Sequence, residues 1–233
     1  MPVDTGRACL GDCRRCRFVG PFPLRILGMI DTAPVDRPLG NGTAAALLSA
    51  LGHRSIVLVG MPGAGKSALG RRLAAKLALP FVDADAEIEK AAGMSIPEIF
   101  TAHGEPYFRA GEARVIARLL EHGPQVLATG GGAFMNPETR ALLRSKGITV
   151  WLKAEFEVLM RRIKRRADRP LLKTDDPAAT LKALIEQREP VYREADVVVC
   201  SRDEPHETIV EEIVAAVHAR LVVPRDAKGE VTG

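Results

Sequence analysis

The stretch SIVLVGMPGAGKSALG, residues 55–70, decides the fold, because a glycine-rich turn with one lysine joins an apolar run to a helical pattern. Residues 60–67 read G-x-x-x-x-G-K-S, and such glycines let successive backbone N–H groups turn inward around phosphate oxygens. The start of the following helix adds a partial positive charge. Lys66 can then reach the β- and γ-phosphates, and the Ser67 hydroxyl can ligate Mg²⁺. The stretch therefore predicts a nucleotide-binding P-loop rather than a plain glycine-rich turn.

On both sides of this junction, short apolar runs alternate with helical patterns, which is typical of βαβ units and a parallel sheet. We therefore predict an α/β protein with the P-loop NTPase fold, in which a five-stranded parallel sheet carries helices on both faces. The predicted strands are residues 55–60, 79–83, 125–129, 148–152 and 196–200.

Two helices between these strands have clear local signals. The segment SIPE, residues 95–98, reads as a capping box in which Ser95 begins a helix and Glu98 reaches back to it. A later helix has apolar residues at the spacing i, i+3, i+4 and i+7, which predicts one buried face opposite a basic one. These apolar residues are Phe156, Leu159, Met160 and Ile163.

Composition and charge narrow the function classes. The 233 residues are 46% hydrophobic and 27% charged, and no apolar run approaches the roughly 18 residues of a membrane span, so no membrane partner is expected. Most of the net charge of +4 comes from residues 1–30, where five arginines stand against two aspartates. The rest of the chain is nearly neutral, which disfavours nucleic acid as a partner.

The two ends of the chain differ from its middle. Residues 1–43 are rich in Pro, Gly and Arg without periodicity, so we expect a disordered N-terminal extension, a domain at 44–222 and a C-terminal tail at 223–233. Cys9, Cys13 and Cys16 have the spacing of an iron–sulfur loop, but their polar surroundings favour incidental cysteines over a metal site. Because no secretory signal is evident, we expect a cytoplasmic protein.

An acidic pair follows the second predicted strand. Asp83 and Asp85, in FVDADAEIEK, fall where that strand ends and a helix begins, at the sheet edge where ligands bind in such folds. Either aspartate could be the N-cap of the helix. Alternatively, one holds Mg²⁺ through water and the other accepts a hydrogen bond from a substrate hydroxyl.

Two further segments suggest a substrate site at the same edge. In YFRAGEARVIARLL, Glu112 lies one helical turn after Arg109 and can orient its guanidinium, although a plain surface ion pair is the alternative. In LATGGGAF, the third strand ends in Gly130, Gly131 and Gly132. We expect three glycines at a sheet edge where a ligand or another backbone approaches closely.

Two arginines complete the set of candidate residues. Arg188, in TLKALIEQREPVY, shares the apolar face of its helix with Leu181, Leu184 and Ile185, so it either extends out to solvent or meets a buried anion. Arg169 precedes Pro170 in a polar connection between helices. A mobile lid carrying an arginine could close over the γ-phosphate, and a solvated basic loop is the alternative.

In order and spacing, the motifs GMPGAGKS, DADAEIE, YFRAGE, TGGGA, RPLL and REPVY closely resemble those of the shikimate kinase family. The resemblance covers roughly residues 50–220. It implies ATP-dependent phosphorylation of the 3-hydroxyl of shikimate, a step towards chorismate and the aromatic amino acids. It also implies a P-loop kinase fold with a mobile lid. We further expect one Mg²⁺ ion per subunit, with ATP as co-substrate, and a monomer.

The resemblance assigns the site residue by residue. It places the Mg²⁺ ligand on Ser67 and the lid arginine on Arg169. We expect catalysis by Lys66, Asp85 and Arg169, and a second Mg²⁺ contact, through water, from Asp83. The ATP-binding residues are then Gly63, Ala64, Gly65, Lys66, Ser67, Ala68, Arg162 and Arg169. The resemblance places the shikimate contacts on Asp85, Arg109, Gly131 and Arg188, and the glycine run adds Gly130 and Gly132 as shikimate-binding candidates.

Two positions depart from the family pattern. Ala68 stands where family members usually have Thr or Ser, so one hydroxyl contact to the phosphates is missing. Near the C-terminus, SRDEPHE leaves open whether Arg202 or a neighbour contacts adenine. Two other functions remain as alternatives: a gluconate-type small-molecule kinase, and a nucleotide-binding regulatory module without turnover.

Overall fold

The structure, a computed structural model, describes residues 41–165 and 176–222. Most of the predicted N-terminal extension, the predicted C-terminal tail and the segment that contains Arg169 lie outside these residues. Within them, the strands are β1 (Ser55–Val59), β2 (Phe81–Asp83), β3 (Val126–Ala128), β4 (Gly147–Lys153) and β5 (Val197–Cys200). The helices are α1 (Asn41–Leu51), α2 (Lys66–Leu77), α3 (Ala84–Ala92), α4 (Ile96–Leu119), α5 (Pro137–Lys146), α6 (Phe156–Lys164), α7 (Pro177–Tyr192) and α8 (His206–Val222).

The five strands form one parallel sheet in the order β2-β3-β1-β4-β5. Each predicted strand is confirmed, with ends within two residues of the expected ones. The central strand β1 pairs with β3 on one side and β4 on the other, where Leu58 is in register with Ala128 and Val150. The strand order reverses at β1, and such a point is where α/β sheets bind ligands beyond the carboxyl ends of their strands.

The core surrounds β1, whose residues Ile56–Val59 are completely buried. A strand covered on both faces reads as a continuous apolar run, which is why SIVLV was recognisable in the sequence. Helices α1 and α2 pack against α8, whereas α5 packs against α4 and β4. In α6, Leu159 and Ile163 are buried while Phe156 and Met160 pack half-buried against the core, so the predicted apolar face is confirmed.

Helix α4 begins with the predicted capping box. The backbone N–H of Ser95 donates to Glu98 Oε2 at 2.8 Å, and the Ser95 hydroxyl accepts from the Glu98 backbone. The helix is interrupted at Gly104, where φ is 78° and ψ 173°, and Pro106 follows. The second half of α4 therefore takes a new direction and carries Arg109 towards the carboxyl edge of the sheet.

Candidate active site

The phosphate loop has the strand–turn–helix geometry that the sequence predicts. After β1, Gly63 and Gly65 adopt positive φ angles of 88° and 91°, and Gly65 is the N-cap of α2. Left-handed backbone is readily accessible only to glycine, so these two positions account for the G-x-G spacing. The turn therefore places the N-terminus of α2, with the N–H groups of its first turn, at the carboxyl edge of β1.

Lys66 is the first residue of α2 and its side chain folds back over the loop. Its Nζ donates to the carbonyl oxygens of Gly60 at 2.8 Å and Met61 at 3.1 Å. The ammonium group therefore lies at the mouth of the loop, where the terminal phosphates of a bound nucleotide carry the most negative charge.

Ser67 and Asp83 form a pair suited to a magnesium ion. The Ser67 hydroxyl donates to Asp83 Oδ2 at 2.6 Å, and Asp83 Oδ1 accepts from the backbone N–H of Asp85 at 3.2 Å. Asp83 is therefore the N-cap of α3 as well as the partner of Ser67, so the two interpretations of this aspartate are compatible. One hydroxyl and one carboxylate fit Mg²⁺, which usually completes its shell with water and substrate phosphates.

Arg109 is held by two carboxylates from its own helix. Its Nη1 donates to Glu112 Oε2 at 2.7 Å and its Nη2 to Glu105 Oε1 at 3.1 Å. Burial lowers the pKa of Arg109, but the hydrogen bonds and charges of Glu112 and Glu105 outweigh that effect and leave the pKa above its ordinary value. The guanidinium is therefore a fixed positive charge.

Glu112 is more than the partner of a surface ion pair. The residue is only 2% exposed, and its Oε1 has no hydrogen-bond partner among residues 41–165 and 176–222. Burial raises the pKa of Glu112, whereas the Arg109 guanidinium lowers it by a smaller amount. The surface interpretation of the Arg109–Glu112 pair is therefore wrong, since one partner is buried.

The three glycines after β3 lie against side chains that belong to the site. A Cβ on Gly130 would stand 2.7 Å from Glu112 Oε1 and 2.8 Å from Asp85 Oδ1, and one on Gly132 only 2.5 Å from Arg109 Nη2. A Cβ on Gly131 would collide with the ring of Pro62 in the phosphate loop, 2.8 Å from its Cδ. We expected these glycines to make room for a ligand or another backbone, and the structure corrects this expectation. The space that a Cβ would need is already filled by side chains of the protein.

Arg188 reaches the same glycine segment from α7. It is half-buried on the face that also carries buried Leu181, and its Nη1 donates to the carbonyl oxygen of Gly131 at 3.3 Å. The guanidinium therefore points into the site rather than out to solvent. Tyr192, one turn further along α7, donates its hydroxyl hydrogen to the same carbonyl. Sequence reasoning missed Tyr192, although its spacing of four residues from Arg188 within REPVY puts both on one helix face.

Arg162 lies on the other side of the phosphate loop. Its Nη1 donates to Ser201 Oγ at 2.8 Å and its Nη2 to the carbonyl oxygen of Arg202 at 2.9 Å. The same Nη1 is 3.7 Å from where a Gly65 Cβ would be. Burial, with a smaller contribution from Arg161, lowers the pKa of Arg162. Arg162 therefore connects the loop to the segment after β5.

Arg202, the candidate for adenine contact, is already engaged by two carboxylates. Its guanidinium bonds Glu204 at 2.6 Å and Glu212 at 3.1 Å. These hydrogen bonds raise the pKa of Arg202. Its backbone carbonyl oxygen, by contrast, accepts a hydrogen bond from Arg162, which lies against the phosphate loop. The backbone of residues 201–202, rather than the Arg202 side chain, is therefore connected to the loop.

The structure thus brings the candidate residues into two adjoining groups at one sheet edge. The first, the phosphate-loop cluster, consists of Lys66, Ser67 and Asp83. The acceptor group consists of Asp85, Arg109, Gly130, Gly131, Gly132 and Arg188. The contact of Pro62 with Gly131 joins them, and Arg169 lies outside the described residues.

Comparison with known proteins points to one family. The family model described as shikimate kinase matches residues 62–218. The shikimate kinase of Rhodopseudomonas palustris is 61% identical over 193 residues, which cover 83% of this chain and 95% of that protein. The shikimate kinase of Nitrobacter winogradskyi is also 61% identical over 193 residues, covering 83% of this chain and 88% of the relative.

Solved structures agree with the sequence comparison. Shikimate kinase from Acinetobacter baumannii in complex with shikimate superposes with a TM-score of 0.72 at 35% identity, over 77% of this chain and 99% of that one. Shikimate kinase from Aquifex aeolicus gives a TM-score of 0.65 at 37% identity, over 72% and 98%. The phosphate loop, the paired arginines and the glycine segment therefore occur in a chain that belongs to the shikimate kinase family.

Proposed function

We propose that this shikimate kinase phosphorylates the 3-hydroxyl of shikimate within the acceptor group described above, using ATP held by the phosphate loop. One observation carries the assignment. Arg109 and Arg188, from helices far apart in sequence, both contact the Gly130–Gly132 segment, and Asp85 lies at its start. The two guanidinium groups suit the carboxylate of a small acid, and the Asp85 carboxylate suits its hydroxyl groups.

Arg109 and Arg188 would bind the carboxylate of shikimate. A guanidinium presents parallel N–H groups that match a carboxylate bidentately, and such charge-assisted hydrogen bonds are about twice as strong as neutral ones. Glu112 and Glu105 hold Arg109 in place before the substrate arrives. The cost of ordering that side chain is therefore met during folding rather than during binding.

Asp85 would act on the hydroxyl end of the substrate. Its carboxylate accepts a hydrogen bond from the 3-hydroxyl and orients the oxygen towards the γ-phosphorus. As the new oxygen–phosphorus bond forms, the bond from the γ-phosphorus to the bridging oxygen breaks, and ADP leaves with that electron pair. The hydroxyl proton passes to Asp85. Gly130 is essential to this arrangement because a Cβ there would stand 2.8 Å from the Asp85 carboxylate.

The nucleotide would bind along the phosphate loop. The N–H groups of residues 63–68 surround its phosphates, Lys66 moves from the Gly60 and Met61 carbonyls to the β- and γ-phosphates, and Arg162 lies beside them. Ser67, and Asp83 through water, would hold one Mg²⁺ ion per subunit. When bound, this ion neutralises charge on the β- and γ-phosphates.

Several further assignments stay proposals. Arg169 would be the lid arginine that neutralises charge on the transferred phosphoryl group. The domain would span 44–222 between an N-terminal extension, 1–43, of which the last three residues already belong to α1, and a tail, 223–233, in a cytoplasmic monomer. Among the helices that the structure describes, none is both long and apolar enough to cross a bilayer.

The test is a coupled assay of ADP formation with three acceptor conditions: shikimate, gluconate and no acceptor. Of the three conditions, we expect ADP formation only with shikimate, and we expect it to stop when Mg²⁺ is chelated. A ³¹P–¹H NMR correlation should show that the product carries its phosphate on the 3-oxygen. Comparable turnover with gluconate would favour the gluconate-type alternative. ADP formation that is independent of acceptor would contradict the assignment of Asp85 and the two arginines.

A further inference from the structure

Tyr192 is one of the most enclosed side chains of the molecule. It is the last residue of α7 and only 1% exposed. Its ring stacks on Phe134 at a centroid distance of 6.2 Å and on Trp151 at 5.8 Å. Burial raises the pKa of Tyr192 to about 12, so its hydroxyl remains a hydrogen-bond donor throughout the neutral range.

The hydroxyl of Tyr192 contacts the acceptor group at the Gly131 carbonyl oxygen and at the Arg188 side chain. It donates to the carbonyl oxygen of Gly131, the same oxygen that accepts from Arg188 Nη1 at 3.3 Å. A carbonyl oxygen has two lone pairs, and here both are directed to donors from one face of α7. The position of the Arg188 guanidinium therefore depends on a carbonyl that Tyr192 also holds.

The Gly131 peptide also lies next to the other arginine. The next residue, Gly132, contacts the Arg109 guanidinium so closely that a Cβ would stand 2.5 Å from Nη2. On its other side, Gly131 touches Pro62 of the phosphate loop. A shift of this peptide would therefore change the spacing between the two guanidinium groups.

We infer that Tyr192 is a positioning residue for carboxylate recognition: its hydroxyl fixes the Gly131 carbonyl and thereby the spacing of Arg188 and Arg109. The inference rests on the proposed role of these two arginines. Tyr192 itself touches no reacting atom in this scheme, and its aromatic ring supplies packing that is separate from the action of its hydroxyl.

The test uses Tyr192→Phe in the full-length protein, because this change removes the hydroxyl and keeps the stacked ring. We expect KM for shikimate to rise about three- to tenfold, which corresponds to losing one hydrogen bond that orders the site. Both kcat and KM for ATP should stay within about twofold of wild type, since the phosphate loop is unchanged. Tyr107→Phe is the matched control, since the Tyr107 side chain is exposed.

A second readout separates positioning from general stability. The neutral carboxamide of shikimate should bind without the charge-assisted pairs, so kcat/KM for shikimate relative to the carboxamide reports carboxylate recognition. We expect this ratio to fall in Tyr192→Phe and to stay unchanged in Tyr107→Phe. A double-mutant cycle with Arg188→Lys should show losses that are less than additive, because both changes act on the same contact.

Three outcomes would overturn the inference. Equal losses for shikimate and its carboxamide would mean that the hydroxyl supports the fold in general. A lower melting temperature with unchanged KM for shikimate would mean the same, and additive losses with Arg188→Lys would mean that the two residues act independently. Failure of the proposed site is distinguishable, because Arg188→Ala would then keep wild-type kcat/KM for shikimate whatever Tyr192→Phe does.

Discussion

Truncating Arg188 to alanine tests the acceptor site most directly. The hydrogen bond from this guanidinium to the Gly131 carbonyl oxygen is long at 3.3 Å, so its loss contributes little to the change in kcat/KM by itself. The main loss falls on the substrate carboxylate, where a bidentate charge-assisted contact is worth about 2–4 kcal/mol. We therefore expect kcat/KM for shikimate to fall by about thirty- to a thousandfold.

The assay measures steady-state kinetics for both substrates, together with the melting temperature. KM for ATP should barely change, because the phosphates are held by the loop at Gly63–Ser67. Arg188→Lys should recover only part of the loss, since an ammonium group cannot reproduce the planar guanidinium. Arg193→Ala is the matched control, because Arg193 is the C-cap of the same helix, its side chain is 69% exposed and its ion pair with Glu189 is a surface contact.

The opposite pattern would refute the reasoning. If Arg188 only packs its aliphatic part on α7, the alanine variant should melt at a lower temperature and keep kcat/KM for shikimate within about threefold of wild type. In that case the carboxylate binds elsewhere, and the assignment of the acceptor group must be revised.

Three further perturbations test other parts of the chain. Lys66→Ala should abolish turnover, because Lys66 is the residue proposed to carry a positive charge to the β- and γ-phosphates, and a wild-type kcat would contradict the loop assignment. Deleting residues 1–43 should leave kcat/KM unchanged. Deleting residues 1–51 also removes Leu47 and Leu51, which are 0% and 1% exposed, and should lower the melting temperature by about 10 °C or more. Equal melting temperatures of the two truncated proteins would contradict this expectation. The Glu112 pKa is raised in the folded state, so its contribution to stability is complete below its ordinary pKa of 4.5 and is lost as the pH rises through the folded value. The free energy of unfolding of wild type relative to Glu112→Gln should therefore decrease with rising pH above 4.5 in urea titrations, and a constant difference would show that burial does not perturb this carboxyl.

The sequence allowed prediction of features that depend on neighbouring residues. All five strands were placed correctly because buried parallel strands are continuous apolar runs, and the phosphate loop because its glycines and lysine lie within eight residues. The Ser95–Glu98 capping box was equally local. The side chains of Asp83 and Asp85 were expected at the sheet edge because strand ends converge there, and the Ser67–Asp83 contact agrees with that expectation.

Contacts between distant residues could not be predicted in the same way. Tyr192 and Gly131 are 61 positions apart, and no periodicity indicates that the hydroxyl of one meets the carbonyl of the other. Helical spacing predicted that Glu112 faces Arg109, but only the packing of α4 under the glycine segment shows that one of its oxygens is buried without a partner among the described residues. The sequence therefore identifies the charged groups, and the tertiary packing determines how each is held.

The glycine segment shows why correct residues can be assigned for an incorrect reason. Gly132 has a φ of −99°, and neither Gly130 nor Gly131 has a positive φ, so any amino acid could adopt this backbone. Conformational freedom is therefore not what these positions need. They need space, because Asp85, Arg109 and Pro62 each stand within 2.8 Å of a Cβ that glycine lacks. Because three side chains are absent, the Asp85 carboxylate, two guanidinium groups and the phosphate loop converge on one strand end. The residues that bind the acceptor therefore lie next to the phosphate-loop cluster.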